Sequence, residues 1–287
     1  MNKILEKKSP CAVTDLGDIR HVALDMDGTI YRGGTLFDFT NPFLALLREL
    51  GIGYTFLTNN SSKSVKDYLV HLSEMGIAAT REQIYTSTNA TVEFLQEELP
   101  SVNHLFLLGT ASMTEEVGSA GFTFAADDAN DEPDAVLVGF DTSLNYSRLC
   151  RAAWWIKQGK KFIASHPDRV CPTDDPTVLL DCGAICAALK EATGRAPDAV
   201  LGKPDPRMLR GLLRREGLHP RQLAMVGDRL YTDMAMARRA GALGVLVLTG
   251  EATADDAAQH LPPLDMVVES IAELGERLRA AKEAKTS

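Results

Sequence analysis

Short apolar runs alternate with amphipathic helical segments along most of the chain, and this alternation limits the folds that it can adopt. The runs have the length of buried strands, whereas the segments between them carry apolar residues at helical spacing. This order is typical of a parallel sheet that is covered by helices. The sequence therefore predicts an α/β fold.

The individual elements follow from these periods. The clearest candidate strands are residues 21–24, 53–57, 104–108, 135–138, 161–164, 199–201, 223–226 and 243–248. The candidate helices are residues 42–50, 64–75, 90–98, 146–158, 206–216 and 233–240. Gly51, Gly76, Gly159, Gly217 and Gly241 each follow a helical run, where a left-handed residue commonly ends a helix. These glycines support the predicted helix ends.

The composition argues against several classes of partner. The 287 residues include 45% hydrophobic side chains, which suffices for a substantial core and about one or two domains. With 39 acidic and 30 basic residues, the formal net charge of -9 provides no basic field for a nucleic acid polymer or an anionic membrane. The N-terminus lacks the apolar core of a signal peptide, and no apolar run approaches about 18 residues. We therefore expect a cytoplasmic protein.

The cysteines indicate neither a disulfide framework nor a zinc site. Their number is odd and none of them has CxxC spacing: Cys11, Cys150, Cys171, Cys182 and Cys186. Cys182 and Cys186 lie one helical turn apart, and we interpret them as small buried core residues rather than a pair. We expect free thiols without a catalytic role.

Four of the predicted strands end abruptly in polar residues that suit phosphate chemistry. The four stretches read VALDMDGT, YTFLTNNS, AVLGKPDP and LAMVGDR. In open parallel sheets, ligands bind in the crevice at the carboxyl ends of the strands. The side chains expected to converge there are Asp25, Asp27, Thr58, Asn59, Lys203 and Asp228.

Asp25 and Asp27 are two positions apart, so in an extended chain both side chains point to the same side and can flank one phosphorus atom. Gly28 then lets the backbone turn away. An isolated DxDG stretch is equally typical of a turn after a strand. The polar residues at the three other strand ends favour a catalytic role for Asp25 and Asp27 over a simple turn.

The clustered acids require a cation. Asp25, Asp27, Asp228 and Asp233 would repel a phosphate dianion unless positive charge were present. Magnesium fits this site, because it prefers carboxylate and carbonyl oxygens and phosphate oxygen. Lys203 would supply further positive charge, although a solvated loop lysine is the alternative. Asp233 is a weak or supporting metal ligand, or alternatively only the N-cap of the following helix.

Thr58 and Asn59 precede a serine-rich helix start. A hydroxyl and free backbone N–H groups at such a position can bind phosphate oxygens. Simple N-capping of the helix that begins near Ser64 is the alternative, and the two roles can coexist.

The stretches DMDGT, TNN, GKPDP and GDRLYTD resemble, in order and spacing, the four motifs of the haloacid dehalogenase superfamily. FLTNNSS, the long insertion between TNN and GKP, and SHPD resemble its NagD-type branch, which includes para-nitrophenylphosphatases and nucleotide, pyridoxal-phosphate and phosphoglycolate phosphatases. The resemblance extends from about residue 21 to residue 250. It implies a doubly wound parallel-sheet core, residues 1–87 and 198–287, interrupted by a smaller α/β cap domain, residues 88–197.

The resemblance also implies roles for the acids. Asp25 would be the nucleophile that forms an aspartyl-phosphate, and Asp27 would protonate the leaving oxygen and later deprotonate the attacking water. Magnesium would lie between the Asp25 carboxylate, the Asp27 backbone carbonyl and Asp228, with Asp233 in support. The implied activity is hydrolysis of a small phosphorylated metabolite.

The remaining implied roles concern phosphate and leaving-group binding. Thr58, Asn59 and Lys203 would hold the phosphoryl oxygens and stabilise developing charge. The cap would close over the site and select the leaving group. Its candidate substrate contacts are Asp168 and the turn at residues 181–184, although these are equally typical of polar loop residues.

Two departures from the family pattern fall in the cap. The usual Thr-Asn-x-Asp turn reads Ser165-His166-Pro167-Asp168, and Asp181-Cys182 replaces a common proline-glycine pair. Both changes put the substrate in doubt and leave the reaction unaffected. His166 could shift the substrate preference or the response to pH.

Several alternatives remain. A hydrolytic dehalogenase, by family resemblance, needs neither magnesium nor a second motif aspartate, so Asp27 and Asp228 argue against it. A phosphotransferase with the same aspartates stays open, as does a catalytically idle sensor of a phosphorylated metabolite. Neither GxGxxG nor GxxxxGKS/T follows a strand, so a nicotinamide or Walker-type enzyme is unsupported. Trp154 and Trp155 are adjacent on one predicted helix, so their side chains point about 100° apart. One would pack in the cap core and the other would lie at an interface. A homodimer that forms through the cap is one such interface.

Overall fold

The computed structural model describes residues 15–173 and 175–286, and Cys11 lies outside this part of the chain. The described strands are β1 (His21–Asp25), β2 (Tyr31–Arg32), β3 (Thr35–Leu36), β4 (Gly53–Thr58), β5 (Ile84–Thr86), β6 (His104–Leu108), β7 (Thr123–Phe124), β8 (Ala135–Val138), β9 (Lys161–Ala164), β10 (Val170–Cys171), β11 (Leu179–Leu180), β12 (Ala199–Val200), β13 (Leu223–Gly227), β14 (Leu243–Val247) and β15 (Met266–Val268). The described α-helices are α1 (Thr40–Glu49), α2 (Val65–Glu74), α3 (Ser87–Glu98), α4 (Ala111–Ser119), α5 (Tyr146–Lys157), α6 (Cys182–Thr193), α7 (Arg207–Glu216), α8 (Ala235–Ala240), α9 (Ala254–Gln259) and α10 (Ile271–Thr286). Each predicted strand and helix overlaps one of these elements.

The larger sheet is parallel throughout, in the order β15-β14-β13-β1-β4-β5. Every residue of its central strand β1 is buried, as expected for a parallel strand that is covered on both faces. Val22 and Leu24 pack with α1, α2 and α10, whereas Ala23 packs on the opposite face with α7 and α8. This sheet with helices on both faces confirms the predicted doubly wound α/β core.

A smaller parallel sheet has the order β12-β9-β8-β6-β7 and forms the α/β cap. Helices α5 and α6 cover one of its faces, and α3 and α4 cover the other. Helix α3 belongs to both units, because Ala90 packs in the core and Phe94 packs in the cap. The division of the chain at residues 87/88 and 197/198 stays a prediction.

One strand lies in a different sheet from the one that we expected. β12, which precedes Gly202-Lys203, pairs with β9 and therefore belongs to the cap sheet. The prediction that all four polar strand ends belong to one sheet is wrong for this stretch, because a run this short carries no signal for its pairing partner. Lys203 therefore approaches the site from the end of the cap sheet.

The burial of two pairs of cap residues agrees with the sequence prediction. Cys182 and Cys186 are both buried on α6, and Trp155 is buried on α5 while Trp154 is 38% exposed. A dimer contact at Trp154 stays a prediction. Among the described residues, the helices are all too short or too polar to cross a membrane.

Candidate active site

Asp25 and Asp27 stand at the carboxyl end of β1, the central strand of the core sheet. The Asp25 side chain is buried, whereas the Asp27 side chain is exposed and borders a cavity. Gly28 follows with φ +80°, a left-handed conformation that glycine adopts without strain. The chain therefore turns back into the β2–β3 hairpin, and Asp27 stays open to solvent.

Thr58 and Asn59 stand at the end of the neighbouring strand β4. Asn59 Oδ1 accepts the Lys203 backbone N–H at 2.6 Å, and Asn59 Nδ2 donates to the Lys203 carbonyl at 2.9 Å. The same amide donates to both carboxylate oxygens of Asp168, at 3.2 and 3.1 Å. Asn59 thus joins the core strand to two segments that come from the cap. The predicted alternative of N-capping is wrong, because Ser64 caps α2 with Asp67.

Lys203 is buried between two carboxylates. Its Nζ contacts Asp25 Oδ1 and lies 2.8 Å from Asp233 Oδ1. Burial alone would lower the pKa of Lys203, but the charges of Asp233 and Asp25 raise it above its ordinary value. Lys203 therefore stays protonated at the base of the cavity.

Asp228 and Asp233 follow the core strand β13. Asp233 lies in a π-helical turn, Leu230–Met234, whose extra residue turns the Asp233 side chain inwards, and α8 begins only at Ala235. Asp233 Oδ2 accepts the Arg229 backbone N–H at 3.2 Å. Asp233 is therefore fully buried at the site, and its predicted alternative as the N-cap of the next helix is wrong.

Three buried carboxylates could hold one cation. Oxygens of Asp25, Asp228 and Asp233 lie within 4.8 Å of one another. Burial raises the pKa of all three, that of Asp233 to about 6, although Lys203 opposes the shift at Asp25 and Asp233. Asp228 Oδ1 is buried without a hydrogen-bond partner. An oxygen donor set with an orphaned carboxylate oxygen fits Mg²⁺. Asp27 could contribute only its backbone carbonyl, since its side chain lies outside this group.

Two glycines leave the space that the Asp228 carboxylate occupies. A Cβ at Gly250 would lie 1.9 Å from Asp228 Oδ2, and one at Gly28 would lie 2.4 Å from it. The same oxygen accepts the Glu251 backbone N–H at 2.7 Å. Sequence reasoning missed Gly250 and Glu251, because no local pattern connects them to β13.

Arg229 was also missed, although it follows Asp228 directly in the GDR stretch. Its Nε lies 3.0 Å from Glu251 Oε2, and its guanidinium borders the cavity. Burial would lower the pKa of Arg229, but Asp25 and Asp228 raise it. Arg229 therefore adds fixed positive charge beside the acids.

The site opens into a cavity of about 260 Å³ between core and cap. Asp168, Cys171 and Asp181 form its cap wall. Lys63 and His71, beside and on α2, line its core side. The predicted substrate-contact residues Asp168 and Asp181 therefore both face the space above Asp25.

Comparison with known proteins agrees with this geometry. The model of the haloacid dehalogenase-like hydrolase family matches residues 22–123, and a HAD-hydrolase-like model matches residues 200–274. Ribonucleotide monophosphatase NagD of Escherichia coli is 32% identical over 238 residues, which are 83% of this chain and 91% of the relative.

Solved structures are similar over nearly the whole chain. The crystal structure of 4-nitrophenylphosphatase from Thermotoga maritima has a TM-score of 0.85 at 36% identity, covering 91% of this chain and 98% of that one. The crystal structure of glycerol phosphate phosphatase from Mycobacterium tuberculosis in complex with magnesium has a TM-score of 0.83 at 29% identity. The match covers 93% of this chain and 78% of that one.

The chain belongs to the haloacid dehalogenase-like hydrolase family. Within that family it is a NagD-type phosphoric monoester hydrolase, which confirms the predicted resemblance. The nicotinamide-enzyme interpretation does not fit this membership.

Proposed function

We propose that this protein is a magnesium-dependent phosphatase that hydrolyses small phosphomonoesters through an aspartyl-phosphate at Asp25. The observation that carries the proposal is the convergence of Lys203, Asp228 and Asp233 on the Asp25 carboxylate at the base of the cavity. A nucleophilic carboxylate needs positive charge beside it to approach a phosphate dianion. Lys203 supplies one such charge directly, and Asp228 and Asp233 would supply more by holding a divalent cation.

The proposed reaction has two steps. A carboxylate oxygen of Asp25 attacks phosphorus, the bond from phosphorus to the ester oxygen breaks, and the leaving oxygen takes a proton from Asp27. Water then attacks the phosphorus of phospho-Asp25 and gives a proton to Asp27, and the bond from phosphorus to the Asp25 oxygen breaks. This step releases inorganic phosphate and restores the Asp25 carboxylate and the protonated Asp27. The exposed position of the Asp27 side chain at the cavity suits it to exchange protons in both steps.

Lys203, Thr58 and Asn59 would bind or position the phosphoryl group. Lys203 supplies the charge. The Thr58 hydroxyl, whose oxygen accepts the Asn60 N–H at 3.1 Å, lines the cavity beside Tyr68 and can turn its proton from Tyr68 to a phosphoryl oxygen. The Asn59 side chain is engaged with the Lys203 backbone and with Asp168. Asn59 therefore acts on phosphate by holding Lys203 in place.

The residues that would hold Mg²⁺ are the carboxylates of Asp25 and Asp228 and the backbone carbonyl of Asp27, with Asp233 in support. When bound, Mg²⁺ neutralises charge on the phosphoryl oxygens. The magnesium complex of the similar glycerol phosphate phosphatase supports this choice of metal.

The cavity volume suits a small phosphorylated metabolite, such as a nucleotide, a sugar phosphate, phosphoglycolate or pyridoxal phosphate. Similar proteins are named ribonucleotide monophosphatase, acid sugar phosphatase and glycerol phosphate phosphatase, so similarity alone does not select one leaving group. We infer that the residues of the cap wall discriminate between these leaving groups.

The test is phosphate release from a panel of these esters and para-nitrophenyl phosphate, with Mg²⁺, with EDTA, and with EDTA followed by excess Mg²⁺. Release that EDTA abolishes and Mg²⁺ restores would support the proposal. Added acceptor alcohols would reveal a phosphotransferase, because phosphate would then appear on the alcohol instead of in solution. Absence of release from every ester would overturn the proposed hydrolysis.

A further inference from the structure

The cap wall of the cavity carries a second group of potential metal ligands, separate from the three acids below it. His166, Asp168 and Asp181 each offer one ligand atom, and these atoms lie within 4.8 Å of one another. His166 is fully buried and Asp181 is 3% exposed. Asp168 and Asp181 both face the cavity, so a small cation can reach the group.

The His166 ring has one nitrogen without a hydrogen-bond partner. Its Nε2 lies 3.3 Å from Ser61 Oγ and 3.3 Å from Asp181 Oδ1. Its Nδ1 is buried and unpartnered, and lies 3.8 Å from Asp168 Oδ2. Buried polar atoms are almost always satisfied, so an orphaned imidazole nitrogen directed at a carboxylate indicates a missing partner.

Backbone hydrogen bonds hold the Asp181 carboxylate and the Asp168 segment in place before any ligand arrives. Asp181 caps α6 and accepts the Cys182 N–H at 2.6 Å, and the Asp168 carbonyl accepts the Gly183 N–H at 2.7 Å. A Cβ at position 183 would lie 2.1 Å from the Pro167 carbonyl oxygen, so only glycine permits this close approach. The two segments are therefore held against each other.

We propose that His166, Asp168 and Asp181 bind a second divalent cation, of the kind that accepts mixed nitrogen and oxygen ligands, such as Zn²⁺ or Co²⁺. Imidazole suits these metals, whereas Mg²⁺ prefers oxygen ligands alone. Ligands at about 2.0–2.2 Å from one metal lie roughly 3–4 Å apart, which the observed spacing of Nδ1 and Asp168 already matches.

A cation here would change the charge of the cap wall. Asp181 is 3% exposed and lies beside Asp168, so this part of the wall places two carboxylates close together with little solvent around them. A divalent cation would cancel the charges of Asp168 and Asp181 beside a neutral imidazole. Hydrogen bonds from Asn59 to Asp168 and to the Lys203 backbone would also connect the cation to Lys203, which contacts Asp25. The cation therefore acts on leaving-group binding without sharing a ligand with the magnesium group.

The experiment measures bound Co²⁺, not turnover, so its result is independent of the proposed phosphatase reaction. The full chain is stripped with chelator and dialysed against Co²⁺, and bound metal is counted for the wild type and its variants. We expect two equivalents in the wild type and one in His166→Asn and in Asp181→Asn, since asparagine keeps the helix N-cap. Asp228→Asn should lose the other equivalent.

His104→Asn is the matched control, because His104 also pairs with an aspartate, Asp131 at 2.8 Å, but both of its ring nitrogens have partners. We expect it to keep two equivalents. Unchanged Co²⁺ stoichiometry in folded His166→Asn or Asp181→Asn would overturn the proposal. If circular dichroism shows that one variant does not fold, the other decides.

Discussion

Lys203 Nζ lies 2.8 Å from Asp233 Oδ1, and neither side chain is more than 5% exposed. The lysine reaches this position from the end of the cap sheet, whereas the aspartate follows a strand of the core sheet. A buried ion pair of this kind joins the two units and at the same time places a cation against Asp25. In the proposed reaction, binding of phosphate and docking of the cap would therefore depend on the same ammonium group.

Lys203→Met should cost both stability and activity. Removing the ammonium leaves Asp25 and Asp233 buried without their partner, which destabilises a fold by about 3–5 kcal/mol. We also expect phosphate release to fall by about 100-fold or more, because charge stabilisation of the phosphoryl group is lost. Urea unfolding and phosphate release measure the two effects. The control is Lys66→Met at an exposed position of α2, and equal behaviour of the two variants would contradict the assigned role.

Asp25→Asn should abolish turnover and leave the fold intact. The amide is not nucleophilic, yet it has the same shape as the carboxylate. Burial raises the pKa of the Asp25 carboxyl group, which means that its charge is costly to bury. Replacing it with a neutral amide therefore has a limited effect on the free energy of unfolding. Phosphate release and thermal unfolding test this, with Asp38→Asn at an exposed loop position as the control. Turnover by an Asp25→Asn sample whose mass excludes deamidation would rule out the aspartyl-phosphate.

The sequence predicted the parts of the fold and site that depend on local pattern. Asp25, Thr58 and Asp228 follow apolar runs, and parallel strands bring such ends together whatever their separation along the chain. The sheet to which β12 belongs was unpredictable, because a two-residue strand is placed by its partner β9 and not by its own periodicity.

The rest of the site depends on contacts between distant segments. Gly250 is required only because the Asp228 carboxylate lies against it, a relationship that no spacing reveals. The inward position of Asp233 results from a π-helical turn, whereas helical periodicity predicted an ordinary helix start. His166 was noted as a departure from a family pattern, but its buried, half-satisfied ring became evident only in three dimensions.

His21 should make folding stability depend on pH. Its ring is buried against Thr55, with 2.9 Å between Nε2 and Oγ1, and burial lowers its pKa to about 4. The unfolded chain titrates near pKa 6.5, so between about pH 6.5 and 4 the unfolded state binds more protons. The contribution of His21 is fully present above pH 6.5 and is lost as the pH falls towards 4.

Urea unfolding at pH 7.5 and pH 5 measures this effect. The wild type should lose about 2 kcal/mol more than His21→Gln on this shift, because the variant has no proton to gain at that position. His260→Gln, a change outside the core, should behave like the wild type. An identical loss in the wild type and in His21→Gln would contradict the buried neutral histidine.

Gly250→Ala should weaken metal binding more than substrate binding. The added Cβ would lie 1.9 Å from Asp228 Oδ2, so the carboxylate must leave its present position in the group with Asp25 and Asp233. Displacing a metal ligand or its support typically costs about 10–100-fold in metal affinity. We therefore expect the Mg²⁺ concentration for half-maximal phosphate release to rise by about ten-fold or more. At saturating Mg²⁺, the KM for the ester should change little, because Thr58 and Lys203 stay in place.

Gly34→Ala is the matched control, since a Cβ there meets no atom within 4 Å. If Gly250→Ala kept the Mg²⁺ dependence of Gly34→Ala, Asp228 would not be a metal ligand in this enzyme.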